Sequence, residues 1–550
     1  MALARVLRLW RTARHLRAEQ VAFRLYFRLA KPWVRHRALA AVGEAVRRPW
    51  LASWLAPLIG ARSHVELGEF EFLGERGNLA AMRGWNSPEK AKLWLYNLHY
   101  LDDLNAADAD GRGEQHAWLI DRWIEGNPAL AGNGWEPYTL SLRIVNWVKW
   151  FARQTAIPQP WLDSLARQAQ ALLVQEERHI LANHLFTNGK ALVFAGAFLG
   201  GDIGQRSLRR GLAILDREID EQFLADGGHF ELSPMYHATL LWDLCDLLNV
   251  AGCSGVATLT ERIGHWRGVV ERGLSWLDAM CHPDGEIAFF NDAAFGIAPS
   301  PLAVRAYAAW LGCTLPAGDA GDACAARHLA DTGYVSVSLP ANGKAIVDVA
   351  EVGPAYQPGH AHADTLSFEL SLFGQRVLVN SGTSQYGEDA ERQRQRSTQV
   401  HNTVEVDGEN SSEVWAGFRV ARRASARDVS VGRAGPGDLL VYGAHDGYLR
   451  LPGKPVHGRS WCFSGKSLRV LDRVSGRYGR AVGRFFLHPA VAVENDRLVL
   501  PGGEVVRWSC SGGRAAVVPS TWHPAFGVSV PSRCLEVSFE APEVTMVFSW

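Results

Sequence analysis

The chain has 550 residues, of which 47% are hydrophobic and 21% are charged, so it can bury large cores and should divide into at least two domains. Its 57 basic and 57 acidic residues give zero formal net charge, which excludes a global field that recruits nucleic acid. The eight cysteines form no CxxC pair, which argues against a zinc knuckle or a disulfide framework. The longest apolar stretch, from Ala191 to Gly201, is shorter than the roughly 20 residues that a transmembrane helix needs.

The beginning of the chain is strongly basic. Its first 37 residues hold ten Arg or Lys and a single acid, Glu19, in a helical pattern with apolar side chains such as Leu7 and Trp10. No continuous apolar stretch or small-residue cleavage site follows, so the pattern is a poor secretion signal. We therefore predict a cytoplasmic location, with the periplasm or cell envelope as the alternative. Residues 1–85 are predicted as a helical lead-in that packs against the protein or lies on an anionic membrane surface.

Residues 86–315 are predicted to be a helical domain. Apolar residues recur with a period near 3.6, and loops rich in Gly, Pro and Asn separate the periodic segments. This pattern is typical of tandem helical hairpins. The predicted helices are 90–104, 114–124, 140–154, 161–182, 189–199, 205–223, 236–250, 256–280 and 302–311.

Residues 330–550 are predicted to be an antiparallel β domain. After a stretch rich in Ala, Gly and Asp, apolar and polar residues alternate, with glycine turns between the alternating segments. A helical half followed by such strands indicates a multidomain α+β fold. The predicted strands are 334–339, 345–352, 365–373, 376–380, 398–406, 468–474 and 544–550.

The most informative motif lies at the start of one predicted strand. His360, His362 and Asp364 alternate with small residues, and the period of two along a strand places all three on one face. Burying two histidines and a carboxylate is costly unless they bind something. The alternative is a pair of inert, hydrogen-bonded histidines that cap the strand.

Two further clusters lie at predicted helix ends. Asn183 and His184 interrupt an apolar helical stretch, where they could be exposed at a cavity or serve only as caps. Ser233 is a predicted N-cap with Pro234 at the first helical position, which fixes Tyr236 within the first turn. The alternative for Tyr236 is a buried tyrosine with a satisfied hydroxyl group.

Arginines form the last cluster. Arg392, Arg394 and Arg396 occupy alternate positions, so on one strand face they would clamp a carboxylate or sulfate group. The alternative is a solvated edge strand.

Three further segments stand out beside these clusters, namely 379–382, Tyr386 and 401–408. Taken together, these motifs resemble the heparinase II/III family of polysaccharide lyases. The resemblance covers roughly residues 90–420 and implies an incomplete (α/α) toroid followed by an antiparallel β-sandwich, with the site between them. It also implies β-elimination at a uronic acid, which leaves a C4–C5 double bond in the product. The segments that carry it are Asn183-His184, Ser233-Pro-Met-Tyr236, His360-Ala-His362-Ala-Asp364, Val379-Asn380-Ser-Gly382, Tyr386 and His401-Asn-Thr-Val-Glu-Val-Asp-Gly408.

This elimination calls for the residue types present here. The C5 proton is hard to remove while the uronate is charged, so donors such as Asn183, His184 and His360 would hold the carboxylate. A base must take the proton and an acid must protonate the departing oxygen. The resemblance implies that Tyr236 is the main candidate, in one or both roles, with His360 or Tyr386 as the second group. A free tyrosine has a pKa of about 10, so Tyr236 would need a cationic neighbour to act as a base.

The predicted substrate is an acidic polysaccharide, either a heparan-like glycan or a bacterial exopolysaccharide or capsule. The residues predicted to contact it are Trp135, Arg143, Asn188, Arg394 and Arg396.

The resemblance also implies a zinc site in the β domain, usually built from two histidines and an aspartate. By motif the ligands are His362, Asn380 and His401, so an asparagine replaces the aspartate and weakens the expected zinc binding. A tight hairpin at Gly374 would leave Asn380 about 20 Å from His362 along the sheet. The metal set therefore requires the chain before Thr365 to bend back.

Two other functions compete with the lyase. A glycoside hydrolase would need two carboxylates that flank a cleft, for which Glu136, Glu231 and Asp292 are candidates. A non-catalytic glycan-binding or polymer-handling protein would fit the poor secretion signal. Loss of activity in Tyr236→Phe, with little effect of Glu231→Gln, would favour the lyase.

Overall fold

The computed structural model describes residues 2–57, 60–82, 84–317, 324–435 and 437–550. Helices dominate the chain up to Trp310, with one small antiparallel sheet (β1 His64–Glu66, β2 Glu69–Phe72, β3 Glu75–Asn78) between the third and fourth helices. The helices are α1 Ala2–Ala13, α2 Ala18–Leu29, α3 Lys31–Ala38, α4 Lys92–Tyr100, α5 Gly113–Gly126, α6 Pro137–Phe151, α7 Gln159–Leu172, α8 Ala182–Phe198, α9 Gly201–Gln222, α10 Pro234–Ser254, α11 Ala257–Thr260, α12 Ile263–Ala279, α13 Pro301–Trp310 and, among the later strands, α14 Ala390–Gln395.

Helix α8 is the central element of the helical domain. Every residue of α8 except His184 is buried, which explains why its sequence is apolar on all sides. It packs most extensively on α9, and also on α6 and α10. The close approach to α9 needs glycine, because a Cβ atom on Gly196 would lie 2.4 Å from the backbone nitrogen of Leu208. The polar first turn of α8 is thereby held in a fixed place.

The second half of the chain is an antiparallel β-sandwich. One sheet has the strand order β20-β21-β16-β8-β7-β6-β5-β4, with β9 beside β16, and the other has the order β12-β13-β14-β15-β22-β19-β18-β17. The strands are β4 Ala325–Leu329, β5 Tyr334–Leu339, β6 Gly343–Asp348, β7 Phe368–Leu372, β8 Gln375–Leu378, β9 Val404–Val406, β10 Val414–Trp415, β11 Arg419–Val420, β12 Ala426–Gly435, β13 Asp438–His445, β14 Val456–Phe463, β15 Ser467–Ser475, β16 Ala481–Leu487, β17 Ala492–Glu494, β18 Arg497–Val499, β19 Val505–Ser511, β20 Arg514–Trp522, β21 Val530–Phe539 and β22 Glu543–Ser549.

The sandwich core lies between these two sheets. Phe368 and Leu370 of one sheet pack in the same cluster as Trp461, Phe463 and Phe548 of the other. Along β14, buried side chains alternate with partly exposed ones, as expected for a strand with one face on the core.

A separate apolar cluster joins the helical half to the sandwich. Trp276 and Met280 of α12 pack there with Tyr334 and Ile346 of the sandwich. Polar contacts cross the same boundary: the Tyr334 hydroxyl donates to the Leu232 carbonyl at 2.7 Å. These contacts hold the loop before α10 against the first strands of the sandwich, and the candidate site lies beside them.

The predicted α+β architecture, a helical toroid followed by an antiparallel sandwich, is confirmed. Each predicted helix overlaps an observed one, although 256–280 divides into α11 and α12. The predicted strand 398–406 is wrong over most of its length, since only Val404–Val406 pairs in a sheet. The precise domain boundaries stay a prediction. None of the described helices has the length and apolar character needed to cross a membrane.

Candidate active site

A buried carboxylate, Asp292, organises the candidate site. It lies in the loop between α12 and α13 and accepts hydrogen bonds from His360 Nδ1 at 2.9 Å and His362 Nε2 at 2.8 Å. The Arg392 guanidinium donates to both of its oxygens. Burial opposes ionisation of this carboxyl group, but Arg392 and the two histidines outweigh burial and hold the pKa of Asp292 well below its ordinary value. Asp292 is therefore a fixed anion that orients both histidines.

Asn291, the residue before it, ties the helical half to the motif at 360–364. Its φ of 57° lies in the left-handed region, which asparagine tolerates better than most residues. Its side chain donates to the Leu232 carbonyl at 2.9 Å and accepts from the His362 backbone N–H at 3.0 Å. Its own N–H donates to Asp364 at 3.2 Å. The two histidines and Asp364 thus face one loop, as their spacing predicted, but from a turn rather than a strand.

Tyr236 is placed by the start of α10. Ser233 caps this helix with Pro234 at its first position, as predicted, and the Ser233 hydroxyl accepts from the Tyr236 N–H at 3.2 Å. The same hydroxyl donates to the Asp292 carbonyl at 2.5 Å. The cap therefore joins the helix that carries Tyr236 to the loop that carries Asp292.

The rings of Tyr236, His360 and Tyr386 form one cluster. The Tyr236 and Tyr386 hydroxyls are 3.0 Å apart, and the Tyr236 ring stacks on His360 with 3.8 Å between centroids. Burial raises the pKa of both tyrosines well above the ordinary value. Both phenols are therefore protonated near neutral pH in the free protein. The half-exposed Phe418 packs edge-on against His360 and Tyr386 at the rim.

His360 has a defined tautomer. When the His360 ring is neutral, its Nδ1 donates to the ionised Asp292 carboxylate, which leaves Nε2 with a free lone pair. The Glu231 Oε2 atom lies 3.6 Å from Nε2. Burial raises the pKa of Glu231, and its Oε2 atom has no hydrogen-bond partner in the described part of the chain.

Asn183 and His184 lie in the first turn of α8. The chain enters this helix through two left-handed residues, Leu181 and Ala182, a conformation that costs energy. The Asn183 backbone N–H donates to Glu231 at 3.4 Å, whereas its side-chain amide bonds to no described residue. The amide is thus available to a ligand.

His184 is paired with an acid. Its Nδ1 lies 2.9 Å from Glu177, and its ring packs 4.6 Å from that of Tyr138. Burial disfavours the cation, but Glu177 outweighs burial and raises the pKa of His184. The His184 side chain is 30% exposed, so it can also reach a ligand.

Three predicted substrate contacts serve the protein interior instead. Asn188 bonds to the backbone and side chain of Glu177 at 2.7 and 3.0 Å, so it lies behind His184. Arg143 is fully buried, stacks on Trp123 and donates to Gln168. Trp135 is also buried, with its indole N–H on the Asn127 carbonyl at 3.1 Å. None of these three side chains contacts the Tyr236 cluster. The structure therefore gives no support for direct contact between them and a substrate.

The arginine clamp on a strand is wrong. The segment forms a helix, α14, which Asp389 caps. Side chains two residues apart on a helix are separated by a rotation of about 200°, so they point to nearly opposite sides. Arg392 instead reaches Asp292, and Arg396 is buried on the Ala361 carbonyl at 2.8 Å. Arg394 pairs with Glu391 and with Thr521 and His523.

The chain before Thr365 does bend back, as the predicted metal set requires. Leu366 has a φ of 66°, and the Ser367 N–H closes a turn onto the Asp364 carbonyl at 2.8 Å. The bend brings His362 Nδ1 to 3.1 Å from His401 Nε2. The other nitrogen of each ring also has a partner: His362 Nε2 bonds to Asp292, and His401 Nδ1 bonds to the Ser397 carbonyl. Partners of this kind orient metal-binding histidines.

The third predicted ligand, Asn380, already has a hydrogen-bond partner. The Asn380 side-chain oxygen already accepts the Asn402 N–H at 3.1 Å. No group of three His, Cys, Asp or Glu side chains able to hold a metal ion occurs among the described residues. A structural zinc ion normally takes four ligands. Zinc at His362, Asn380 and His401 stays a prediction, and no chemical step below depends on it.

The sequence alone does not reveal what Asp292 and Arg392 do in the candidate site. It offers Arg392 only for a clamp on a strand and Asp292 only as a hydrolase candidate, and the local signal of Asp292 is one polar pair after Phe289-Phe290. Its role depends on contacts to residues about 70 and 100 positions away, which the sequence does not display.

The chain matches two family models, "Heparinase II/III N-terminus" over residues 107–311 and "Heparinase II/III-like, C-terminal" over residues 323–550. It is 26% identical over 317 residues to a heparin-sulfate lyase of Bacteroides stercoris, a match that covers 53% of this chain and 46% of that protein. It is 25% identical over 303 residues to a heparin-sulfate lyase of Pedobacter heparinus, covering 50% and 44% respectively. These matches span about half the length of the curated relatives.

Solved structures show the same fold. A crystal structure of heparinase III matches with a TM-score of 0.65 at 15% identity, over 83% of this chain and 76% of that one. A heparan sulfate lyase mutant from Pedobacter heparinus matches with a TM-score of 0.58 at 18% identity, over 88% and 81%. At these identities the likeness establishes the toroid and sandwich architecture.

Proposed function

Because the chain belongs to the heparinase II/III family, we propose that it is a polysaccharide lyase that cleaves a uronate-containing polysaccharide by β-elimination. The observation that carries this proposal is the cluster of Tyr236, Tyr386 and His360 on the Asp292 carboxylate. It offers a proton donor and a proton acceptor side by side, as an elimination requires. The substrate is an acidic glycan, either heparan-like or a bacterial exopolysaccharide.

The first step is to hold the uronate carboxylate. The free amide of Asn183 can donate to it, and His184, whose pKa Glu177 raises, can offer a positive charge. Glu231 can also donate when protonated, a state favoured by its burial. Donors of this kind stabilise the charge that develops when the C5 proton leaves.

His360 is the favoured base. Its Nε2 lone pair is free, and the Asp292 carboxylate on Nδ1 would stabilise the imidazolium that forms. A buried carboxylate has the same effect on the histidine of a Ser-His-Asp triad. Tyr236 alone would need a cation to become a phenolate, and Arg392, which packs over the neighbouring Tyr386 ring, is already bonded to Asp292.

Tyr236 is the favoured acid. Its raised pKa keeps the phenol protonated, so it can donate to the departing O4 oxygen. Tyr386, at 3.0 Å, orients the hydroxyl. After the elimination, the proton that His360 took from C5 can return to the Tyr236 phenolate, because the two rings are in contact. The two roles thus fall to two residues rather than to Tyr236 alone.

The glycoside hydrolase alternative finds less support. Asp292 is fully buried and bonded to four side chains, so it cannot approach a sugar. Glu136 is held by Tyr96 and by Lys92 at 3.0 Å. Glu231 remains as one available carboxyl group, whereas hydrolysis by an acid and base pair needs two.

The test is a panel of uronate polysaccharides followed by the ultraviolet absorbance of the new double bond. We expect wild type to generate absorbance on at least one polymer and Tyr236→Phe to lose about 10²- to 10⁴-fold in kcat. The matched control is Tyr448→Phe, which removes another buried hydroxyl, bonded to the Val404 carbonyl inside the sandwich. Equal kcat values for Tyr236→Phe and wild type would overturn the proposal. Binding without any double bond would favour the glycan-binding alternative.

A further inference from the structure

Helix α1 carries its apolar side chains on the outside of the protein. Val6, Leu9 and Trp10 share one face of the helix and are 59%, 41% and 60% exposed. An amphipathic helix of a globular protein normally buries this face and exposes its polar one. The reversed orientation of α1 leaves an apolar surface that has no partner in the described part of the chain.

The opposite side of α1 faces the protein body. The Thr12 hydroxyl accepts a hydrogen bond from the Trp415 indole N–H at 3.1 Å. Arg11, next to it, lies close enough to Glu413 to help lower the pKa of that carboxyl group. At about 100° per residue, Arg11 and Thr12 lie about 140° and 120° round the helix from Val6. Polar contacts thus fix which face of α1 is turned outward.

Helix α2 repeats the arrangement. Val21, Leu25 and Leu29 recur every four residues and are 44%, 55% and 79% exposed. On the other side, the buried Gln20 side chain donates to the Ile180 and Tyr356 carbonyls at 3.1 and 3.4 Å. A second exposed apolar stripe therefore runs along a helix that polar bonds anchor to the body.

The same segment is strongly cationic. Ten Arg or Lys residues lie within the first 37 positions, and the one acid, Glu19, is neutralised by Arg178 and Arg217. The exposed basic residues Arg8 and Arg28 lie on the helices that carry the two stripes. Apolar stripes bordered by arginine are the signature of helices that lie in a membrane interface.

We propose that α1 and α2 dock the protein on an anionic lipid bilayer, with the apolar stripes among the acyl chains and the arginines at the headgroups. An acidic polysaccharide could bind the arginines but would leave Val, Leu and Trp side chains in water. A neutral apolar partner would leave the positive charge uncompensated. The bilayer satisfies both features, and the proposal is independent of the lyase chemistry.

Docking would also bring the catalytic cleft to the membrane. Arg24 and Gln20 of α2 bond to the His179 and Ile180 carbonyls, just before the turn that presents Asn183. The docking helices and the carboxylate-binding end of the cleft are thus neighbours. A docked enzyme would meet polymer chains at the membrane surface.

The test is flotation of the full chain with vesicles of phosphatidylcholine alone or mixed with phosphatidylglycerol. We expect wild type to bind the anionic vesicles at least about ten-fold more tightly, and to lose this preference at high salt. The triple variant Val6→Ser, Leu9→Ser, Trp10→Ser should weaken binding by about ten-fold or more. The double variant Arg5→Glu, Arg8→Glu should do the same through charge.

A matched control removes exposed apolar residues elsewhere. Leu67, Leu302 and Trp310 are 62%, 76% and 65% exposed, and their change to serine should leave vesicle binding unaltered. Wild type that does not float, or a Val6 triple variant that floats like wild type, would overturn the proposal. So would self-association of wild type that the triple variant abolishes, because the apolar face would then join two copies of the chain. Retention on soluble acidic polysaccharide without flotation would equally contradict it.

Discussion

Asp292 is the residue on which the candidate site depends. One carboxylate fixes the tautomer of His360, engages His362 and neutralises the buried Arg392. Its backbone carbonyl also accepts the Ser233 hydroxyl that caps the helix of Tyr236. A change at this position should therefore affect both stability and catalysis.

Asp292→Asn tests these two effects together. The variant leaves the Arg392 guanidinium buried without its counter-ion, which should cost about 3–5 kcal/mol in the free energy of unfolding. A neutral amide also cannot stabilise the His360 imidazolium, so kcat should fall by more than about ten-fold at a temperature where the variant is folded. Denaturant unfolding and steady-state kinetics measure the two effects.

The sandwich supplies a matched control. Asp472 is buried and accepts from His457 Nε2 at 2.7 Å and Arg459 Nε at 2.6 Å, the same kind of constellation away from the Tyr236 cluster. Asp472→Asn should lose comparable stability and keep kcat in the folded protein. Equal kcat values for the two variants would reduce Asp292 to a structural role.

At the scale of elements, the start of α10 links a local sequence signal to the site. Ser233-Pro234 and Ser300-Pro301 are two caps of the same design, since each serine accepts the N–H three residues later. Only the first cap precedes a residue of the candidate site.

Ser233→Ala and Ser300→Ala should therefore separate capping from catalysis. Each should lower the free energy of unfolding by about 1 kcal/mol, because each removes one capping acceptor. Ser233→Ala should also lower kcat, since the cap holds Tyr236 and bonds to the Asp292 carbonyl. A Ser233→Ala enzyme with the kcat of Ser300→Ala would show that the cap does not position Tyr236.

The elements also show how far the sequence alone leads. The cap at Ser233 and the helices of the toroid are local features, so periodicity and capping signals locate them. The segment of Arg392, Arg394 and Arg396 misleads, because alternate arginines fit either a strand or a helix, and the Asp389 cap decides for the helix. The turn at Leu366 could not be predicted, since no glycine or proline marks it.

At the scale of the whole molecule, the site is made by the association of two halves. His360 and Tyr386 come from the β half and Tyr236 and Asn183 from the helical half, and the sequence cannot give the distances between them. The motifs indicated which residues belong together. The resemblance supplied the architecture, while Asp292 became visible only in three dimensions.

Buried histidines make the molecule sensitive to acid. Burial lowers the pKa of His64 and His237 to about 4 and that of His99 to about 3, from an ordinary value of about 6.5. A lowered folded-state pKa contributes stability that is present above pH 6.5 and lost as the pH falls toward 4. The raised pKa values of His184 and of buried acids such as Asp102 and Glu231 act in the opposite sense. The described histidines with a lowered pKa outnumber these groups.

We therefore expect the melting temperature to fall steadily between about pH 6.5 and 4. The pKa of Asp292 is lowered in the folded protein, so its contribution to stability is lost only when the pH falls below the ordinary aspartate pKa of about 3.8. Calorimetry across this range measures the effect. A melting temperature that stays constant from pH 7 to pH 5 would contradict neutral, buried histidines.

The most direct measurement of the proposed chemistry is the mass of the products formed in heavy-oxygen water. Elimination breaks the bond to O4 without adding water, so we expect an unsaturated uronate end and no heavy oxygen in the initial products. Hydrolysis would place one heavy oxygen in each new reducing end and leave no double bond. Labelled, saturated products would contradict the lyase proposal.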